Sequence, residues 1–148
     1  MAKEHFSAND QDRIVSAIKN AEMATSGELR VHIERKSDLD ALARSKALFL
    51  ELGMDKTELR NGVLIYLALE DKKFAIVGDS GIHAMVGDDF WQSEKDLMAK
   101  HFRLGDFTGG LTAAIEKVGE KLKEHFPYSS DDTNELSNDI SFGDSKND

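Results

Sequence analysis

The sequence predicts an α/β protein: a mixed β-sheet, combining one parallel crossover with one antiparallel hairpin, sandwiched by helices in a Rossmann-like three-layer αβα arrangement. Three observations carry that expectation. Helical and strand periodicities alternate along the chain. One run of strand formers, residues 62–69, is apolar throughout. Only the charged residues 70–73 separate that run from the next strand. A strand without a polar face is one covered on both sides, and so short a link permits a hairpin but not a parallel crossover.

Each element follows from local chemistry. Ser7 with Asp10 three residues on resembles a capping box, and Ile14, Ala17, Ile18 and Ala21 recur at helical spacing. Thr25, Ser26 and Gly27 break that helix. Leu29, Val31 and Ile33 then alternate with Arg30, His32 and Glu34, the period of a strand with one polar face. Asp38 is expected to cap a second helix carrying Leu39, Leu42, Ala43, Leu48, Phe49 and Leu52, substantially buried and closed by a left-handed Gly53. The apolar run is the second strand and Phe74, Ala75, Ile76 and Val77 belong to the third, with strand two central. After the turn at residues 78–81, Ile82 to Val86 form one helical turn, and Asp88 is placed to cap a longer helix containing Phe90, Trp91, Leu97, Met98 and Phe102. Phe107, Leu111, Ala114, Ile115, Val118 and Leu122 mark a last amphipathic helix ending before Pro127.

Composition bounds the function. The chain has 148 residues, 40% hydrophobic and 32% charged, enough for one core and a solvated surface. Its formal charge of −9 repels nucleic acid and anionic lipid headgroups and suits cations. The absence of cysteine removes disulfides, thiolate metal sites and cysteine nucleophiles. No leader-like apolar core or bilayer-length apolar run occurs, so a cytoplasmic monomer without membrane insertion is expected. Residues 1–128 read as the globular domain. Residues 129–148, rich in Ser, Asp and Asn, read as an acidic and largely disordered tail. Within that tail Leu136, Ile140 and Phe142 are apolar, and docking around residues 136–142 is expected.

The strand directions bring polar groups to one edge. With strands one and two parallel and strand three reversed, Glu28, Arg60, Asn61 and Asp79 share that edge, and Asp88 and Asp89 follow within reach. Carboxylates and an amide carbonyl are the hard oxygen donors that calcium or magnesium prefers. A divalent cation held by Asp79, Asp88, Asp89, Asn61 and Glu28 is one reading. The other is that Asp79 and Asp88 cap helices while Glu28 pairs with Arg60, which needs no ligand. His5, His32, His83, His101 and His125 lack the close pairing of zinc sites, and His32 is read as an ordinary surface or packing residue. Ser80 lacks the glycine spacing of a hydrolase elbow, and Gly78, Gly81 and Gly87 do not form a dinucleotide fingerprint.

Three ordered segments resemble the TPM domain family: Thr25-Ser26-Gly27-Glu28-Leu29-Arg30-Val31, then Arg60-Asn61-Gly62-Val63-Leu64-Ile65, then Gly78-Asp79-Ser80-Gly81-Ile82. The similarity runs from about Ile14 to Pro127. It implies a mixed sheet between helices and a polar cleft at Asn61, Gly62, Asp79 and the Asp88-Asp89 pair, with Glu28 a looser correspondence. Calcium-bound forms and plant acid phosphatases occur in the family, so the resemblance implies a cation-binding accessory module with a protein partner or, alternatively, a metal-assisted phosphatase with Asp79 as its candidate catalytic group. The commonest bacterial arrangement adds a signal peptide and a membrane helix. Neither is seen in this sequence, which reads as a stand-alone cytoplasmic bacterial member.

Overall fold

The computed structural model describes residues 6–128 and 140–143. Its elements run α1 (Ala8–Met23), β1 (Glu28–Glu34), α2 (Ala41–Glu51), a 3-10 turn (Met54–Lys56), β2 (Gly62–Ala68), β3 (Lys73–Gly78), α3 (Ser80–Arg103), α4 (Phe107–His125) and β4 (Ser141–Phe142). The sheet order is β3-β2-β1-β4. β1 and β2 are parallel, with Glu28 opposite Gly62, and β2 and β3 are antiparallel, with Val63 opposite Gly78. The crossover and the hairpin are as the sequence predicts, and β2 is buried along its whole length.

Alternation along β1 and β2 sorts the core into two layers. Leu29, Val31, Ile33, Val63, Ile65 and Leu67 pack beneath α1, α3 and α4. Leu64, Tyr66 and Ala68 pack beneath α2 with Leu48, Phe49 and Met54. This three-against-one distribution corrects two expectations. The second helix is capped by Asp40, whose side chain accepts from the Ala43 N–H, not by Asp38. It is also not buried broadly: alone on its face, it buries Ser45, Leu48 and Phe49, while Leu39, Leu42 and Leu50 are exposed. Gly53 does take the left-handed conformation (φ 71°). The break expected before Asp88 falls at Gly87 (φ 76°), inside α3.

The chain past Pro127 returns to the sheet. Ser141 and Phe142 pair in parallel with His32 and Ile33, and Ile140 is buried in the larger core. The expected docking is therefore present at residues 140–142, and Leu136 lies outside the described residues.

Three backbone hydrogen bonds stitch the turn after β3 to the start of β2. Gly62 accepts from the Asp79 N–H at 2.9 Å, and the Arg60 carbonyl accepts from Gly81 at 2.8 Å and Ile82 at 3.3 Å. At Gly81 a Cβ would lie 2.1 Å from the Leu59 carbonyl oxygen and 2.7 Å from that of Arg60. Neither is a side chain that can swing away, so the turn admits only glycine. Gly81→Ala is expected to destabilise the domain by about 3 kcal/mol, the scale of overpacking a rigid site. Chemical denaturation would show this as a lower midpoint at unchanged slope.

Candidate functional site

The edge formed by the starts of β1 and β2 and the end of β3 holds Glu28, Asn61 and Asp79, as the strand directions predict. All three are buried. They do not form one ligand set. Arg60 grips Asp79 through two hydrogen bonds, Nε to Oδ2 at 2.7 Å and Nη2 to Oδ1 at 2.9 Å, and Asp79 also accepts from the Ser80 N–H at the start of α3. The charge of Asp79 is thus already balanced, and Arg60 pairs with Asp79, not with Glu28 as one reading has it. Asp88 and Asp89 begin the second segment of α3, past the kink at the non-helical Gly87 that separates it from the segment Asp79 caps. Asp88 is solvent-exposed and lies 3.6 Å from His83.

Glu28 has a neighbour that the sequence reading missed. Glu22, in the last turn of α1, reaches it across the break at residues 24–27. Glu22 Oε2 accepts from the Leu29 N–H at 2.9 Å, while Oε1 is buried without a partner. Burial, the hydrogen bond to Glu28 and its nearby charge together push the Glu22 carboxyl well above the usual range, against the opposing pull of the Leu29 N–H. Two carboxyls in contact inside a protein share a proton, because both cannot ionise together. Beside them the Asn61 carbonyl accepts from the Glu28 N–H at 3.3 Å, and Asn61 Nδ2 is buried without a partner. Among the described residues no group of three or more His, Cys, Asp or Glu is placed to hold a metal ion; an oxygen site here would draw on the Glu22–Glu28 pair, Asn61 and backbone carbonyls.

A second polar cluster lies at the other end of β1. The supposed polar face of that strand is buried: His32 and Glu34 are each only 4% exposed. Glu34 accepts from Arg44 of α2 twice, at 3.0 Å each, and from the Tyr66 hydroxyl. His32 lies 3.3 Å from Glu34 and 2.9 Å from Ser141, and its ring stacks on Tyr66. Gly143 closes over them so tightly that a Cβ there would meet His32 Nε2 at 2.5 Å. No period distinguishes such a network from a solvated strand face, since its partners arrive from α2, β2 and the far end of the chain.

A family model described as the TPM domain matches residues 2–121, more than three quarters of the sequence. The chain belongs to the TPM domain family. The solution structure of the BA42 protein from the psychrophilic bacterium Bizionia argentinensis is 47% identical, with a TM-score of 0.86 over 93% of this chain and 95% of that one. The N-terminal domain of the cg2496 protein from Corynebacterium glutamicum shares the fold at a TM-score of 0.66 and 18% identity, covering 86% of this chain and 80% of that one. Among curated proteins no match is found. No helix among the described residues of this TPM domain is long and apolar enough to cross a membrane.

The buried cluster of the TPM domain makes its stability pH-dependent. Burial alone would raise the Glu34 carboxyl, but the hydrogen bonds from His32, Arg44 and Tyr66 and the Arg44 charge outweigh it and lower it from 4.5 to about 2. Between those values the unfolded chain binds more protons than the folded one, so stability from Glu34 is full above about pH 4.5 and lost as pH falls toward 2. Glu34→Gln is expected to cost about 3 kcal/mol at neutral pH, the scale for breaking a buried pair. Urea unfolding followed from pH 7 downward should show the variant's acid limb flatter than the parent's.

Proposed function

We propose that this TPM domain is a small binding module whose acidic edge takes a divalent cation, calcium or magnesium, and presents it to a protein partner. The observation that carries the reading is the Glu22–Glu28 pair, in which Glu28 is buried and the half-buried Glu22 has a buried, unpartnered Oε1. A proton shared by two carboxylates occupies the position a hard cation would take, and a divalent ion releases the repulsion that the proton relieves at present. Asn61 adjoins the pair through its backbone carbonyl, which accepts from the Glu28 N–H, and its side-chain Nδ2 is buried without a partner. The overall negative charge favours arrival of a cation. Asp79, with Arg60 on both its oxygens, contributes less than the strand-end position suggests.

The metal-assisted phosphatase draws less support at this edge. Arg60, the nearest side chain able to hold a phosphoryl group, is committed to Asp79, and a second cationic side chain would have to reach the site from elsewhere.

Calorimetric titration of the metal-free protein is expected to show calcium or magnesium binding in the micromolar to millimolar range. Glu28→Gln and Glu22→Gln should each weaken it about tenfold or more, whereas Asp79→Asn should weaken it far less. No heat and no shift in melting temperature at millimolar calcium, or binding that survives both Glu variants, overturns the assignment. A panel of phosphomonoesters with the same metals tests the second reading directly.

A further inference from the structure

At the opposite end of the sheet, a cavity of about 240 Å³ opens where β2 ends and α3 meets α4. Its apolar walls are Leu67, Phe74, Ala99, Phe102 and Phe107, and its charged lining residues are Lys72 and Arg103. The phenylalanines are only half-buried: Phe74 and Phe102 meet edge to face at 84° with centroids 5.2 Å apart, and Phe107 is tilted at 40° to Phe102 at 5.4 Å. Such a set presents both ring faces and ring edges to a further aromatic ring. The size agrees. A cavity of roughly 150 Å³ already admits benzene, and this one leaves room for a short polar arm.

The rim sets the sign of that arm. Lys72 and Arg103 are exposed, and neither side chain has an ion pair or hydrogen bond among the described residues. No carboxylate lines the cavity, although the chain carries 28 acidic against 19 basic residues. Lys72 also occupies a left-handed turn position (φ 54°) that ordinarily favours Gly or Asn. A long cationic side chain is thus held at a strained backbone position, at the mouth of an apolar pocket. The pocket lies at the carboxyl end of β2, between the β2–β3 hairpin and helices α3 and α4. Seven strand residues, about 20 Å, separate it from the acidic edge.

We infer that this cavity binds a small aryl-alkyl carboxylate, with the ring among Phe74, Phe102 and Phe107 and the carboxylate between Lys72 and Arg103. A monoanion suits two solvated cations better than a phosphate dianion, whose larger hydration would be only partly replaced at an open rim. The site is independent of the cation edge, so either can fail alone.

The test is a titration of the isotope-labelled full chain with phenylacetate, followed by amide chemical shifts, with 2-phenylethylamine as an equal-sized cationic control. Phenylacetate is expected to saturate at about millimolar concentration, with shifts centred on Lys72, Phe74, Phe102, Arg103 and Phe107, and the amine to bind at least about tenfold more weakly. Reversing both exposed charges, Lys72→Glu with Arg103→Glu, should invert that preference, and Ala99→Phe should abolish binding of both compounds by filling the pocket. Equal binding of acid and amine, shifts spread over other surfaces, or an unchanged preference in the charge-reversed variant overturns the inference. If Ala99→Phe fails to fold, the charge reversal on the surface still decides.

Discussion

The constraint on which the rest of this domain depends is the complete burial of β2. Val63 through Ala68 have no exposed surface, so both faces of that strand must be roofed and both of its edges paired. β1 and β3 supply the edges. The faces recruit unequal cover: three helices converge on the side of Val63, Ile65 and Leu67, and α2 alone lies over Leu64, Tyr66 and Ala68. Burying such side chains is worth roughly 1.5–3 kcal/mol each, so any arrangement that exposed this strand would forfeit about as much as the whole net stability of a typical domain. The two buried polar clusters are placed around that requirement, toward the two ends of β1.

The unequal cover explains what the sequence could and could not disclose. The continuous apolar run from Gly62 revealed the central strand, because no solvent-facing strand lacks polar alternates. The short charged turn at residues 70–73 revealed the hairpin, because chain length forbids the alternative. The burial of α2 was illegible for a different reason. Its leucines point in several directions, and sequence alone cannot say that only one neighbour exists to receive them. β4 is two residues long, and its pairing is fixed by His32 and Ser141, which are 109 residues apart; no local pattern encodes such a contact.

The candidate edge was half legible. Strand direction brought Glu28, Asn61 and Asp79 together correctly, since topology alone decides which strand ends coincide. It could not foresee that Arg60, at a left-handed backbone position (φ 53°), would turn back onto Asp79. Nor could it foresee that the helix before β1 would end with a second acid against Glu28. The signal for Glu22 was present in its spacing: five residues, including one tight break, separate two acids in elements that pack against each other. His32 shows the converse. A histidine on the polar side of a strand is usually solvated, and here it is buried because a distant segment lies across it.

That distant segment also orders events in time. The edge of β1 that receives β4 is made early in synthesis, but its partner leaves the ribosome more than a hundred residues later, at roughly 5–20 residues per second. For several seconds the nascent domain can assemble β1, β2 and β3 while His32 and Ile33 still offer an unpaired backbone, which is a template for any extended chain nearby. The last described strand therefore acts as a seal set more than a hundred residues after the edge it covers. Its seating, with Ser141 and Phe142 beside His32 and Ile33 and Gly143 close against Glu34, covers that stretch of the β1 edge.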